Sequence, residues 1–250
     1  MTDRVVVVTG AARGLGAAVV AATKAKGWLV VGVDCDPIPP GTADFTVLGD
    51  LRDRATIDRA IVAARELGVL EGWVNNAAVA IRRELHLVDE ADAMRVFEVN
   101  LFASFWSCQA AVQEFLRVGN PGVIVNVSSI QARSVFPGWA AYATAKGAIE
   151  SLTRYIAVEY GPVGIRAVAV APGTLSTDMA SIAFEAEPSI NSSDLHPLGR
   201  LGRPDEVANV IAFALSEDAS FLSGTVIDVD GAANARNYPA PPFNFDGPLR

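Results

Sequence analysis

The stretch VVVVTGAARGLG, residues 5–16, decides how the rest of the chain is read. Four consecutive valines form a β-branched run without polar alternation, which suits a strand covered on both faces. Thr9 to Gly16 then turns out of that strand, with glycines at 10, 14 and 16, and opens a helical pattern. Unpaired amides and the helix dipole at such a junction favour an anion, a pyrophosphate above all, and glycine lets the backbone approach it. Gly10, Arg13, Gly14, Leu15 and Gly16 are therefore candidate cofactor contacts. The spacing is G-x-x-x-G-x-G, and taken alone the same turn also reads as tight packing.

Outward from this turn, short β-branched runs alternate with longer helical patterns. Strands are predicted at Val5 to Thr9, Leu29 to Val33, Phe45 to Leu48, Trp73 to Asn75, Val123 to Val127, Ala167 to Val170 and Val226 to Val229. Helices are predicted near 15–26, 54–66, 90–117, 141–160 and 204–215. Such alternation implies an α/β fold: a Rossmann-like, doubly wound parallel sheet with helices on both faces, three layers in all. No linker or internal repeat interrupts it, so residues 1–250 are expected to form a single dinucleotide-binding and catalytic domain. Residues 178–198, with Met179, Ile182, Phe184 and Pro188 among several acids, read as a substrate lid or an ordinary surface insertion. The Pro- and Asn-rich tail 232–250, carrying Phe243 and Phe245, has no periodicity.

Composition narrows the function. Hydrophobic residues make up 51% of the chain and charged ones 19%, enough to bury a large core. Acids outnumber bases 28 to 20, and the net charge of −8 provides no overall basic field for nucleic acid or an anionic membrane. No apolar run reaches spanning length, and Met1 to Val8 is too short for a signal peptide, so a soluble, cytoplasmic protein is expected. Cys35 and Cys108 lack C-x-x-C spacing, and His86 and His196 are the two histidines, so neither a metal site nor a His-based triad is expected.

Acid–base chemistry must then come from other residues. Asp34 closes the second strand about 20 residues beyond Gly16, the offset at which a carboxylate meets the adenosine ribose hydroxyls. Asp50, past the third strand, is a candidate partner for the adenine amino group, or else a turn residue. Asn75 and Asn76 end the fourth strand on the edge where ligands bind in such sheets, where asparagines also brace turns. Tyr142-Ala-Thr-Ala-Lys146 carries the sharpest signal. On a helix these side chains share a face, so the ammonium is expected to favour the ionised phenol and make it a general acid or base for an alcohol proton. Lysines are scarce here (Lys24, Lys26, Lys146), and a compact ammonium suits a role that a guanidinium fork does not. Ser128-Ser129 follows the fifth strand; adjacent residues on extended backbone face opposite ways, so one of the two points to the site.

Together these residues resemble the short-chain dehydrogenase/reductase family, from Val5 to about Gly231. TGAARGLG matches its TG-x-x-x-G-x-G loop and YATAK its Tyr-x-x-x-Lys. The family's serine precedes its tyrosine by the interval that separates Ser129 from Tyr142, so the resemblance implies a catalytic set of Asn100, Ser129, Tyr142 and Lys146. It implies NAD as cofactor, held by the glycine loop with Arg13 and Leu15, by Asp34, Asp50, Leu51, Asn76 and Ala77, by Tyr142 and Lys146, and by Pro172, Gly173 and Thr177. In that scheme Lys146 holds the nicotinamide ribose, Ser129 bonds the substrate oxygen, and Asn100 positions a water that relays protons from Lys146. The implied activity is hydride transfer between NAD(H) and a secondary alcohol or ketone, in a homotetramer paired through its long helices. The family's N-N-A-G reads NNAA here, with Ala78 in place of glycine. Two rivals stand: an NADPH-dependent carbonyl reductase, favoured by Arg13 and opposed by Asp34, and a non-catalytic NAD(H)-binding regulatory protein, which has no need of the four-residue set. The lid's apolar residues and acids lean toward neutral alcohols, ketones or sugars.

Overall fold

Val5 to Val8 are wholly buried in β1 (Arg4–Thr9) in the computed structural model of the chain, which describes residues 3–177 and 192–236. Their side chains alternate between two cores, as the period of a strand requires. Val5 and Val7 face α2 (Arg54–Leu67), α4 (Ala103–Val118) and α5 (Ala140–Tyr160). Val6 and Val8 face α1 (Gly14–Ala25) and, across the neighbouring strands, α6 (Pro204–Leu215). A run of valines with no polar position is what two covered faces demand.

The other strands are β2 (Leu29–Asp34), β3 (Phe45–Leu48), β4 (Val69–Asn75), β5 (Val123–Val127), β6 (Arg166–Pro172) and β7 (Val226–Val229). All pairings are parallel, in the order β3-β2-β1-β4-β5-β6-β7. The fold is thus the doubly wound α/β sheet of the Rossmann type. The order reverses direction at β1, and the crevice at the carboxyl ends of β1 and β4 is where such a sheet takes a ligand.

The helix predicted over 90–117 is broken. α3 (Glu90–Phe97) gives way to a π-turn, Glu98–Phe102, before α4 begins. The wider turn turns Asn100 inward, where its amide clamps the backbone of Val79: Val79 N–H donates to Oδ1 at 2.8 Å and Nδ2 donates to the carbonyl at 2.8 Å. β4 begins at Val69, earlier than its apolar run, because Glu71 within it pairs with Arg4 of β1 at 2.7 Å. Residues 178–191 of the lid, with Met179, Ile182, Phe184 and Pro188, and the tail beyond 236, with Phe243 and Phe245, lie outside the described residues. Among the described residues no helix is long and apolar enough to cross a membrane.

α2 and α4 are tied by a charge cluster. The Glu114 side chain is 3% exposed and takes paired hydrogen bonds from Arg65 and Arg117, at 2.6 and 2.7 Å for the shortest of each. The bond from Arg117, reinforced by Arg65 against the opposing effect of burial, holds its carboxyl down to about 2. A folded-state value below the unfolded one stabilises the fold above the ordinary carboxylate range, and that stability is lost as pH falls from about 4.5 toward 2. Glu114→Gln is expected to cost on the order of 1 to 2 kcal/mol at neutral pH, a modest figure because both guanidiniums stand half in solvent. Urea titrations at neutral and acid pH check this: the variant should lose less stability on acidification than the parent.

Candidate active site

The carboxyl edge of the sheet opens into a cleft of about 930 Å³. The glycine turn forms one wall, and sterics explain its composition. Gly10 sits at φ +68°, and a Cβ there would lie 2.8 Å from the Asn76 amide and 2.9 Å from the Ala77 backbone. A Cβ on Gly16 would stand 1.8 Å from the Gly10 carbonyl. α1 starts without a side-chain cap from Arg13, so its first amides face the cleft.

Asn76 braces this turn: Nδ2 donates to the carbonyls of Thr9 (2.9 Å) and Gly10 (3.2 Å), and the amides of Asn76 and Ala77 donate to Thr9 Oγ1. Ala78, in place of the family's glycine, stays out of the left-handed region and is unstrained.

Asp34 accepts from the amide of Ala12 at 2.9 Å and from that of Asp36 at 3.0 Å, one on each oxygen. A carboxylate has further lone pairs, so the braced group still has acceptor capacity toward the cleft it lines. Arg13 forms an exposed pair with Asp36 at 2.5 Å. Asp34, Cys35 and Asp36 bring ligand atoms within 4.8 Å of one another, but both carboxylates have these partners. Asp50 is held as a turn residue: Oδ1 accepts from the Arg52 amide and Oδ2 takes the Arg52 guanidinium, and the residue lines the cleft beside buried Leu51. The bond from Arg52 lowers its carboxyl below the usual range.

At the opposite end α5 carries Tyr142 and Lys146 into the cleft. The Tyr142 phenol faces the Ser129 side chain, and its ring meets Trp139 edge-on at 6.1 Å. Ser128 directs its hydroxyl elsewhere, donating to buried Glu150 at 3.0 Å, which leaves Ser129 as the serine beside the tyrosine. Glu150 also lies 3.4 Å from Arg133, which in turn grips Asp228 on β7. Lys146 Nζ, buried, donates to the Val127 carbonyl at 2.7 Å and stands 5.6 Å from the Tyr142 ring centroid. Burial pushes the Lys146 ammonium down to about 8 and the Tyr142 phenol up, and the Ser129 bond only partly opposes the latter. In this arrangement desolvation governs the phenol, and Ser129, not the expected Lys146 ammonium, is what opposes it.

Pro172, Gly173 and Thr177 line the same cleft; the Thr177 methyl would lie 3.7 Å from a Cβ on Gly14, so this loop closes over the start of α1. Every candidate but one thus reaches the cleft. Asn100 does not line it: its side chain is committed to Val79, and Val99 takes the lining position. What Asn100 offers outward is its main-chain carbonyl, which the Ser104 hydroxyl meets at 3.2 Å. Sequence reasoning missed Arg82, Gln131, Phe136 and Trp139, which also line the cleft, and placed Leu195 only within the 178–198 segment. They come from loops and short 3-10 turns with no periodic signal.

A family model described as enoyl-(acyl carrier protein) reductase matches residues 10–234. The 2-(S)-hydroxypropyl-CoM dehydrogenase 3 of Xanthobacter autotrophicus is 34% identical over 251 residues, covering 94% of this chain and 98% of that one. A second protein of that bacterium, an inactive 2-(S)-hydroxypropyl-CoM dehydrogenase 2, is 39% identical over 201 residues, covering 78% and 87%. Among solved structures, a protein of Agrobacterium tumefaciens assigned as a 2-deoxy-D-gluconate 3-dehydrogenase, with bound NADP, superposes with a TM-score of 0.85 at 30% identity, covering 93% of this chain and 97% of its own.

Proposed function

Because the chain belongs to the short-chain dehydrogenase/reductase family and is an oxidoreductase, we propose that it transfers a hydride between NAD(H) and a secondary alcohol or its ketone. The observation that carries this reading is the meeting of Ser129, Tyr142 and Lys146 in one cleft whose other end is the uncapped start of α1. The reading takes the chain as one unit, since the cleft draws on segments from Gly10 to Leu195.

The residues fit a dinucleotide. The α1 amides and the glycine turn, which added Cβ atoms would fill, would hold the pyrophosphate; Asp34 would take the ribose hydroxyls, with Asp50 and Leu51 at the base. When bound, the nicotinamide supplies or accepts the hydride. Tyr142 Oη removes the hydroxyl proton in oxidation or returns it in reduction, and the Ser129 hydroxyl bonds the substrate oxygen and orients it toward that phenol. Lys146 shares its proton with the phenol, and Pro172, Gly173 and Thr177 fix the nicotinamide side. Turnover is favoured over a binding-only role because a protein that merely senses NAD(H) has no use for a half-buried Tyr142 facing Ser129 with the buried Lys146 ammonium beside it.

The test is a panel of secondary alcohols with NAD or NADP, followed by absorbance of the reduced cofactor, and ketones in reverse. The panel includes hydroxy acids and sulfonates beside neutral alcohols. No substrate on the panel and none in reverse would sink the reading.

The cofactor preference has its own prediction. A 2′-phosphate would bring about two negative charges against Asp34, and Arg13, its countercharge, is already engaged by Asp36. The kcat/KM with NAD should exceed that with NADP by at least about tenfold, and Asp34→Ser should narrow or reverse the ratio. Equal efficiency in the parent protein would show that Asp34 does not face the ribose.

A further inference from the structure

His196 has no part in the scheme above, yet it is 3% exposed and both ring nitrogens are engaged by backbone. Nδ1 lies 2.7 Å from the Asp230 carbonyl, and Nε2 lies 3.2 Å from the Thr174 amide. A carbonyl can only accept and a backbone N–H can only donate, so the two contacts fix the proton: Nδ1 carries it and Nε2 accepts. The backbone makes room for the ring. A Cβ on Gly173 would lie 2.6 Å from Cε1, and one on Gly231 would lie 3.3 Å from the His196 Cβ.

The partners belong to separate elements. Thr174 sits in the loop 172–177 after β6, Asp230 follows β7, and His196 follows the short 3-10 turn Ser192–Leu195, whose Leu195 lines the cleft. Gly202 holds the same loop from another side, donating to the Thr174 carbonyl at 3.0 Å and accepting from the Ser176 amide at 2.9 Å.

We propose that His196 is a positioning residue and a pH-sensitive clasp for the nicotinamide side of the cleft: the neutral ring fixes loop 172–177 against the end of β7, and a second proton releases that loop and weakens cofactor binding. The step rests on the cofactor reading above. Protonation puts an Nε2–H against the Thr174 N–H, exchanging a hydrogen bond for two opposed donors. Three charged groups reach this corner among the described residues. Asp194 lies on the histidine's own turn. Asp230 directs its carboxylate to the amides of Ala232 (2.9 Å) and Asn234 (2.8 Å), away from the ring nitrogens. Arg236 lies 2.9 Å from the Asp194 carbonyl and 3.3 Å from that of Leu195.

With two histidines in the chain, ring-nitrogen NMR reads the clasp directly in the free protein. His196 should appear as the Nδ1–H tautomer with a slowly exchanging proton, set apart from the exposed His86. The dissociation constant of NADH, by fluorescence, should rise about tenfold as the same spectra show the His196 ring taking its second proton. His196→Gln, whose amide can replace the Nε2 acceptor without titrating, should bind NADH within about threefold of the parent at neutral pH and lose the acid weakening. An Nε2–H tautomer, or acid weakening that persists in His196→Gln, overturns the clasp alone. Failure of the parent to bind NADH or NADPH at any pH overturns the cofactor reading and the clasp with it.

Discussion

Tyr142→Phe is expected to lower kcat by about a thousandfold while leaving NADH affinity within about threefold of the parent. The substitution deletes the phenol hydroxyl that faces Ser129 beside the Lys146 ammonium, and it keeps the ring that packs edge-on against Trp139. In the proposed reaction the phenol acts on a proton that moves only during turnover, so its loss should fall on turnover and spare binding. Steady-state kinetics beside a fluorescence titration separate the two. A variant within about tenfold of the parental kcat would remove Tyr142 from its assigned role.

Lys146→Arg should be nearly as damaging, about a hundredfold in kcat, although it preserves the formal charge. Lys146 Nζ is buried, with its bond to the Val127 carbonyl, and a guanidinium brings five donors and greater bulk into the same space. The pH profile provides the second arm. Burial pushes Lys146 down to about 8 and Tyr142 up, so the lysine is the first of the two to give up its proton, and a neutral Nζ can then take the proton the phenol must lose to act as a base. Alcohol oxidation, which needs the base, should therefore rise with pH and level off above about 8. An arginine does not give up its proton, so in the variant that limb should move toward the range of the tyrosine alone. An unmoved limb with near-normal kcat would show that Lys146 does not share the proton.

How much of this was legible beforehand depended on the range of the interaction. β1, β2 and β5 announce themselves because two covered faces force unbroken apolar runs, and the glycine turn, Asp34 and the Tyr142–Lys146 pair are local spacings that a helix or strand converts directly into geometry. β4 was read short because Glu71 and Gly72 interrupt its apolar run, and only the partner Arg4 explains the acid. The π-turn left no mark, since no proline or glycine stands between Glu90 and Val118; its cause is the backbone of Val79, distant in sequence. The same limit hid Glu150, Arg133 and His196, whose partners are on other elements. Ser129 could be separated from Ser128 by residue-level reasoning only once Glu150 was seen to hold the latter.

The position of β1 in the middle of the sheet has a consequence for the chain while it is being made. β1 emerges first, and its pairing with β2 is close at hand, but on its other side Thr9 reaches the Val74 carbonyl across 65 positions. Closing so long a loop is slow, because the entropy is lost before the contacts that offset it form. Until residues 69–75 leave the ribosome, Val5 to Val8 present an uncharged, strongly β-forming edge with one side unpaired, the kind of segment that templates aggregation between chains. The four valines that centre the finished molecule are thus the part of the nascent one most in need of shelter.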